Sequence, residues 1–163
     1  MLYFAYGSNL NIAQMARRCP RATPIRAFAL KDWQLVFRGV ADIVQKSGAV
    51  VWGGVWDITD ECERALDRYE GLSSGLYRKV HGKLAQPIAG QTEMMFYVMN
   101  SEGIFPPSED YLDAIREGYR DFDLKPKTLR DAVRRSHDKK APSHHERQRY
   151  ARTGRPRLAT RPA

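Results

Sequence analysis

Cysteine is scarce in this chain, with only Cys19 and Cys62 among 163 residues. That excludes a disulfide scaffold and a Cys-rich metal cluster. Neither is needed, because a chain this long buries roughly two thirds of its extended surface on folding. No apolar run approaches the ~20 residues that a membrane-spanning helix requires. The opening Met1–Tyr6 carries no basic stretch before its apolar residues and reads as a strand rather than a signal peptide. A Gly-Lys-Ser/Thr phosphate loop, a dinucleotide fingerprint and a serine-hydrolase elbow are all missing. The four histidines show no ligand spacing: His81 stands alone on a strand, His137 near a helix end, and His144-His145 in a basic segment. The expectation is a monomeric protein of the reducing cytoplasm, away from membranes, working without metal or cofactor.

Charge of one sign is confined to one end. Residues 1–133 hold 17 basic and 17 acidic side chains, whereas residues 134–163 hold ten basic side chains against Asp138 and Glu146. The whole formal charge of +8 therefore belongs to the last 30 residues. A neutral body does not suit a specific nucleic-acid binder, whose basic patch lies on the folded surface. The tail can add only weak, salt-dependent attraction to polyanions. Rich in Arg, with three prolines and almost no large aliphatics, it argues against a second core. The expected organisation is one domain over residues 1–136, followed by a basic, Pro/Arg-rich extension over 137–163.

Within the body, Leu2–Tyr6 reads as a short first strand ending at Gly7-Ser8. Asn11 with Gln14 resembles a capping box and starts a helix that runs to about Arg18. A second strand is expected over 33–37, a turn at Lys46-Ser47-Gly48, and an apolar strand over 49–58. Gly53-Gly54 inside that strand implies a bulge or a close backbone approach. Asp60 with Glu63 reads as a second capping box. Cys62, Ala65, Leu66 and Tyr69 then follow at helical spacing, and Gly71 stops the helix. Strands over 76–85 and 92–99, joined by 86–90, form a hairpin. Ser108 caps a helix buried through Leu112, Ile115, Tyr119 and Phe122, and Pro126 begins a last helix to about Arg135. Strands punctuated by helices, with hairpin-length connections, give an α+β fold around a mixed or barrel-like sheet.

Chemistry has few places to sit. Tyr6-Gly7-Ser8-Asn9 lies between a strand and a helix, where successive backbone N–H groups can cradle a carboxylate or phosphate; as a bare motif it is equally an ordinary turn. Glu70 stands at the C-terminal end of its helix, where the dipole disfavours negative charge. Partial burial beside Leu66 and Tyr69 would raise its pKa toward the range useful for acid–base work. On residues alone it also reads as a surface glutamate at a helix stop, with Glu63 and Asp67 facing solvent. Tyr6, Tyr77, Tyr97, Tyr111 and Tyr119 lie near strands and helix faces. Each can either pack in the core or line a small polar pocket with its hydroxyl.

The segments taken together have a further likeness. Tyr3-Phe4-Ala5-Tyr6-Gly7-Ser8-Asn9-Leu10 resembles the signature of the gamma-glutamylcyclotransferase-like superfamily, which includes the AIG2-like proteins. Ala29–Phe37, Val51–Trp56, Phe96–Met99 and Pro106–Tyr111 are similar to later family segments. Leu66-Asp67-Arg68-Tyr69-Glu70-Gly71 resembles the stretch that carries the family's essential glutamate, with Gly75-Leu76-Tyr77 close behind. The likeness spans roughly residues 2–130 in matching order. It implies a small mixed-strand β-barrel with flanking helices and a pocket open at one side. The implied reaction is intramolecular aminolysis of a gamma-glutamyl compound, yielding 5-oxoproline and an amino acid or amine. Glu70 would be its general acid/base. Backbone groups of Gly7, Ser8, Asn9 and Leu10 would hold the substrate's alpha-carboxylate, and Tyr6, Tyr77, Tyr97 and Tyr111 would orient it. Arg38 and Arg78 are further candidates for that carboxylate. The tryptophan-rich segment 51–56 favours gamma-glutamyl amino acids. Gamma-glutamylamines are the alternative substrates, and a non-catalytic binding protein of the same fold is the alternative class. That class would be marked by Glu70 turned away from the pocket, or by a bulky side chain above Gly7.

Overall fold

In the computed structural model, residues 1–138 are described, and five strands form a single mixed sheet. These are β1 (Leu2–Ala5), β2 (Thr23–Phe37), β3 (Ala41–Asp57), β4 (Tyr77–Ile88) and β5 (Gln91–Met99), in the spatial order β2-β3-β1-β5-β4. β1 is central, antiparallel to β3 (Ala5 opposite Gly54) and parallel to β5 (Tyr3 opposite Met95). All four of its residues are buried, as expected of a strand covered on both faces. The aromatic core surrounds it: Phe4 meets Phe28 and Phe96 edge-on at centroid distances of 6.0 and 6.4 Å.

The sheet is open, which corrects the barrel expectation. β2 and β4 are its two edges, and no pairing joins them. Something else occupies the β2 edge. Phe105 N–H donates to Phe37 O at 2.9 Å, and Gly39 N–H donates to Phe105 O at 3.0 Å. The Arg135 guanidinium, from the last helix, donates to Leu35 O at 3.0 Å. Backbone groups that closure would have paired with β4 are thus met by a loop and a helix. Alternation along a strand records which face is buried, and that pattern is the same in a closed sheet and in an open one covered by helices.

Two strands are longer than their composition suggests. β2 begins ten residues before Trp33, with Pro24 tolerated because the strand lies at an edge. The expected turn at Lys46-Ser47-Gly48 is instead an irregularity within β3, where the register slips between the pairs Lys31–Val50 and Trp33–Gln45. Gly48 there has φ +74°, and its N–H donates to Asp32 Oδ1 at 2.9 Å. The local turn chemistry is real, but the strand continues through it. The actual β2–β3 reversal is Arg38-Gly39-Val40, and the β4–β5 turn is the two residues Ala89-Gly90. Gly53-Gly54 is the close approach anticipated from the sequence: a Cβ on Gly53 would lie 2.2 Å from Ala5 O, and one on Gly54 2.5 Å from the Phe122 ring.

Four helices flank the sheet: α1 (Ile12–Arg18), α2 (Asp60–Tyr69), α3 (Glu109–Asp121) and α4 (Lys127–Asp138). Asn11 caps α1, accepting Gln14 N–H, and Ser108 caps α3, accepting Tyr111 N–H. α2 is capped one residue earlier than expected, by Thr59, whose Oγ1 accepts Cys62 N–H at 3.2 Å. Asp60, Glu61 and Glu63 then favour its positive end. No helix among the described residues is long and apolar enough to cross a membrane. α4 runs to Asp138, so the basic extension, His144-His145 included, lies from residue 139 onward outside the described residues.

Candidate functional site

The segment after β1 turns sharply. Leu10 N–H donates to Gly7 O and Asn11 N–H to Ser8 O, making one 3-10 turn over Ser8–Leu10 before α1 begins. This turn forms one wall of a cavity of about 190 Å³. Tyr6, Gly7, Ser8, Asn9, Glu70, Tyr77, Tyr97 and Tyr111 all line it, so residues spread over a hundred positions converge. Tyr3, Tyr69, Val40, Ala41 and Leu76 complete the wall. Leu10 does not belong to it. Its side chain is fully buried against α3, and its N–H is committed to Gly7 O.

Glu70 is the residue that ends α2, and Gly71, at φ +65°, turns the chain away behind it in a conformation suited to glycine. Its Oε1 accepts a hydrogen bond from Asn9 Nδ2 at 3.0 Å. Burial raises its pKa to about 7, against the opposing effects of that hydrogen bond and of the Arg18 charge. The carboxyl therefore exchanges its proton near neutrality, which is what a group serving as base and then acid requires.

Asn9 takes part through its side chain as well as its backbone. Arg18 Nη1 donates to Asn9 Oδ1 at 2.6 Å and to Ser8 Oγ at 3.3 Å. A guanidinium can only donate, so the amide must present Oδ1 to Arg18. Nδ2 is then left to donate to Glu70 and, at 2.8 Å, to Tyr3 Oη. Arg18 is itself held by Gln14 Oε1 at 2.8 Å and stacks 4.0 Å over the ring of Tyr69. Tyr3, Arg18 and the Asn9 side chain are thus site residues that carry no signal in the sequence alone. Arg18 sits nine residues beyond Asn9, and no local pattern signals that a helix will fold it back.

The tyrosine hydroxyls are each tied down. Tyr6 donates to Tyr97 O at 2.7 Å, Tyr97 to Asp67 Oδ1 at 2.6 Å, and Tyr77 to Ala41 O at 3.4 Å. Tyr111 Oη accepts Ala41 N–H at 3.1 Å and also Ser8 N–H. Burial pushes all of their pKa values upward, Tyr111 to about 12, so these hydroxyls stay protonated. Asp67 and Glu63 do not simply face solvent. Lys79 pairs with both, at 2.9 Å to Asp67. Arg38 is paired with Asp42 at 2.7 Å, and Arg78 bonds Met99 O at 3.4 Å; neither lines the cavity. Neither do the tryptophans of 51–56: Trp52 is 41% exposed, and Trp56 is buried against Phe122. Above Gly7, a Cβ would lie 3.1 Å from Tyr111 Oη and 3.2 Å from Ala41 Cβ, a tight fit against a hydroxyl and a methyl rather than a bulky plug. The described residues hold no group of three or more His, Cys, Asp or Glu suited to a metal ion.

A sequence model of the family described as "Gamma-glutamyl cyclotransferase, AIG2-like" matches residues 3–120, which takes in every cavity residue named above. The chain belongs to this family. Human gamma-glutamylcyclotransferase is 33% identical over 135 residues, covering 76% of this chain and 72% of that protein. The mouse protein of the same name is 32% identical over the same shares. Among solved structures, one titled "Gamma-glutamyl cyclotransferase" superposes with a TM-score of 0.69 at 27% identity, covering 94% of this chain and 99% of that one. The AIG2-like family fold is therefore an α+β arrangement with flanking helices, here with an open five-stranded sheet.

Proposed function

We propose that this protein is a gamma-glutamylcyclotransferase that releases 5-oxoproline and an amino acid from a gamma-glutamyl compound, with Glu70 as general acid/base. The observation that carries this reading is a single carboxyl, poised to titrate at about 7, in a tyrosine-lined cavity beside the Gly7–Asn9 turn. Family membership and the names of the relatives support it.

The substrate's alpha-carboxylate would lie against the Gly7–Asn9 turn, where the N–H groups of Gly7 and Asn9 favour an anion while the Ser8 N–H is held by Tyr111 Oη. Its alpha-ammonium passes a proton to Glu70, and the freed amine attacks the gamma-carbonyl carbon of the same molecule. The five-membered lactam closes, the bond to the departing nitrogen breaks, and Glu70 returns the proton there. Two protons leave the attacking nitrogen and two reach the leaving one, so a single carboxyl can carry both in turn. The attack is intramolecular, so holding the chain bent supplies an effective molarity of roughly 10⁵ M or more. The neutral Tyr6, Tyr77, Tyr97 and Tyr111 shape the cavity and orient its polar contacts without competing for the proton.

The test is a panel of gamma-glutamyl amino acids, gamma-glutamyl-epsilon-lysine and glutathione, incubated with the protein and with its Glu70→Gln variant, 5-oxoproline being measured by mass spectrometry. Release that depends on Glu70 is expected, and the ranking across the panel names the leaving group. Gamma-glutamyl-epsilon-lysine outranking the amino acids would move the assignment to the gamma-glutamylamine reaction. Release that survives in Glu70→Gln would end the proposed mechanism.

A further inference from the structure

Helices α3 and α4 leave between them a second cavity, of about 650 Å³, that shares no lining residue with the Glu70 site. Its size falls within the roughly 300–1,000 Å³ that small-molecule sites occupy. Leu112, Leu124, Leu129 and Val133 give it apolar walls. Leu129 and Val133 stand one turn apart on α4 and so share a face.

Two features of this cavity are unexplained by packing. Tyr119, which lines it, is only 3% exposed, and its hydroxyl has no hydrogen-bond partner among the described residues. Buried hydroxyls are ordinarily paired, and an unpaired one suits a ligand oxygen. Arg120 and Arg130 also line the cavity, are exposed, and form no ion pair among the described residues. The other two lining arginines are matched, Arg116 by Glu109 and Asp113, and Arg134 by Asp131. Asp123 is the sole acidic residue of the lining.

We propose that the α3–α4 cavity binds an amphipathic carboxylate, its charged head held by Arg120 and Arg130 and its hydrocarbon body lying along the leucine walls. Charge decides against the other occupants. The sequence from residue 139 onward, with eight basic side chains against Glu146, lacks the complementary charge. A second copy docking face to face would set one arginine-lined mouth against another. A medium-chain fatty acid has the complementary charge and an apolar body, and a carboxylate oxygen can accept from Tyr119.

The experiment is calorimetric titration of the full 163-residue protein with dodecanoate below its micelle concentration, dodecylamine being the control of opposite charge. Saturable one-to-one binding of dodecanoate is expected, with shifts of the Leu112, Leu124, Leu129 and Val133 methyl resonances. Arg120→Glu with Arg130→Glu should weaken it about tenfold or more. Arg120→Gln with Arg130→Gln carries the same test if charge reversal disturbs folding. Tyr119→Phe should weaken binding about threefold while leaving the melting temperature of the free protein unchanged or higher, since it removes an unpaired buried hydroxyl. No saturation in the roughly millimolar range overturns the proposal. So do equal binding of dodecylamine, indifference to loss of the two arginines, shifts confined to the Glu70 cavity, or an acidic peptide binding where dodecanoate does not.

Discussion

The two cavities differ in almost every respect except that both are concave. The α3–α4 cavity is more than three times larger, is built from two helices adjacent in sequence, and has apolar walls. The Glu70 cavity is small and draws on β1, the turn after it, α2, β4, β5 and α3. Its polar atoms are engaged: Asn9 is held by Arg18, Tyr6 by Tyr97 O, and Tyr97 by Asp67. Size does not decide which cavity suits acid–base work. Enclosure of a carboxyl does, because burial is what raises the Glu70 pKa to about 7, while the Asn9 hydrogen bond and the Arg18 charge oppose it.

The largest expected effect tests this contrast directly. Glu70→Gln should lower turnover by roughly 10³-fold, within the span of general acid–base catalysis. Arg120→Gln, in the other cavity, should leave 5-oxoproline release unchanged. Equal losses in both variants would erase the distinction.

Next in size is Arg18→Ala. Freed from Arg18, the Asn9 amide no longer has a fixed orientation, and turnover should fall about tenfold to a hundredfold. The Arg18 charge lowers the Glu70 pKa, so removing it should move the acid limb of the kcat/KM profile, expected near pH 7 in the parent, to higher pH. A loss of turnover with the limb unmoved would make Arg18 merely structural.

Stability offers a smaller effect of opposite sign. The folded-state pKa of Glu70 is raised from 4.5 to about 7, so the folded protein holds a proton that the unfolded chain releases between those values. That contribution is fully present below pH 4.5 and lost as pH rises through 7. Glu70→Gln, which cannot ionise, should therefore be more stable than the parent at pH 8, by about 1–3 kcal/mol. The difference should vanish near pH 4, and urea unfolding at the two pH values measures it. A residue that gains stability on losing its charge, and turnover with it, is one held for function.

The smallest effect is at the cap of the helix that carries Glu70. Thr59→Ala should cost about 1 kcal/mol in thermal unfolding, whereas Asp60→Ala should cost less, because Thr59 and not Asp60 accepts Cys62 N–H.

Much of this was legible in the residues. The helix from Asn11, the stop at Gly71, the cap at Ser108 and the close approach at Gly53-Gly54 all rest on local chemistry that acts within a few positions. Glu70 and the Tyr6–Asn9 turn were legible as candidates for the same reason, each standing at a helix boundary. The misreadings share a different cause. Lys46-Ser47-Gly48 has the residues of a turn yet lies within β3, because local φ preference is visible in sequence whereas the pairing that carries a strand through a bulge is not. Leu10 was placed with the backbone cradle, but its N–H is spent inside the turn. The tryptophans of 51–56 lie on a strand that passes the cavity without facing it.

The sequence by itself determined the α+β character, the short-range caps and turns, the neutral body with its basic end, and the place of Glu70 at the end of its helix. Those properties depend on residue type and on spacings of three, four or two. Tertiary structure alone decided that the sheet stays open, that Arg18 reaches back to orient Asn9, that Lys79 covers Asp67 and Glu63, and that six tyrosines surround one carboxyl. Each of these depends on which distant groups meet and how completely they exclude water, and a pKa near 7 follows from that enclosure rather than from the glutamate itself.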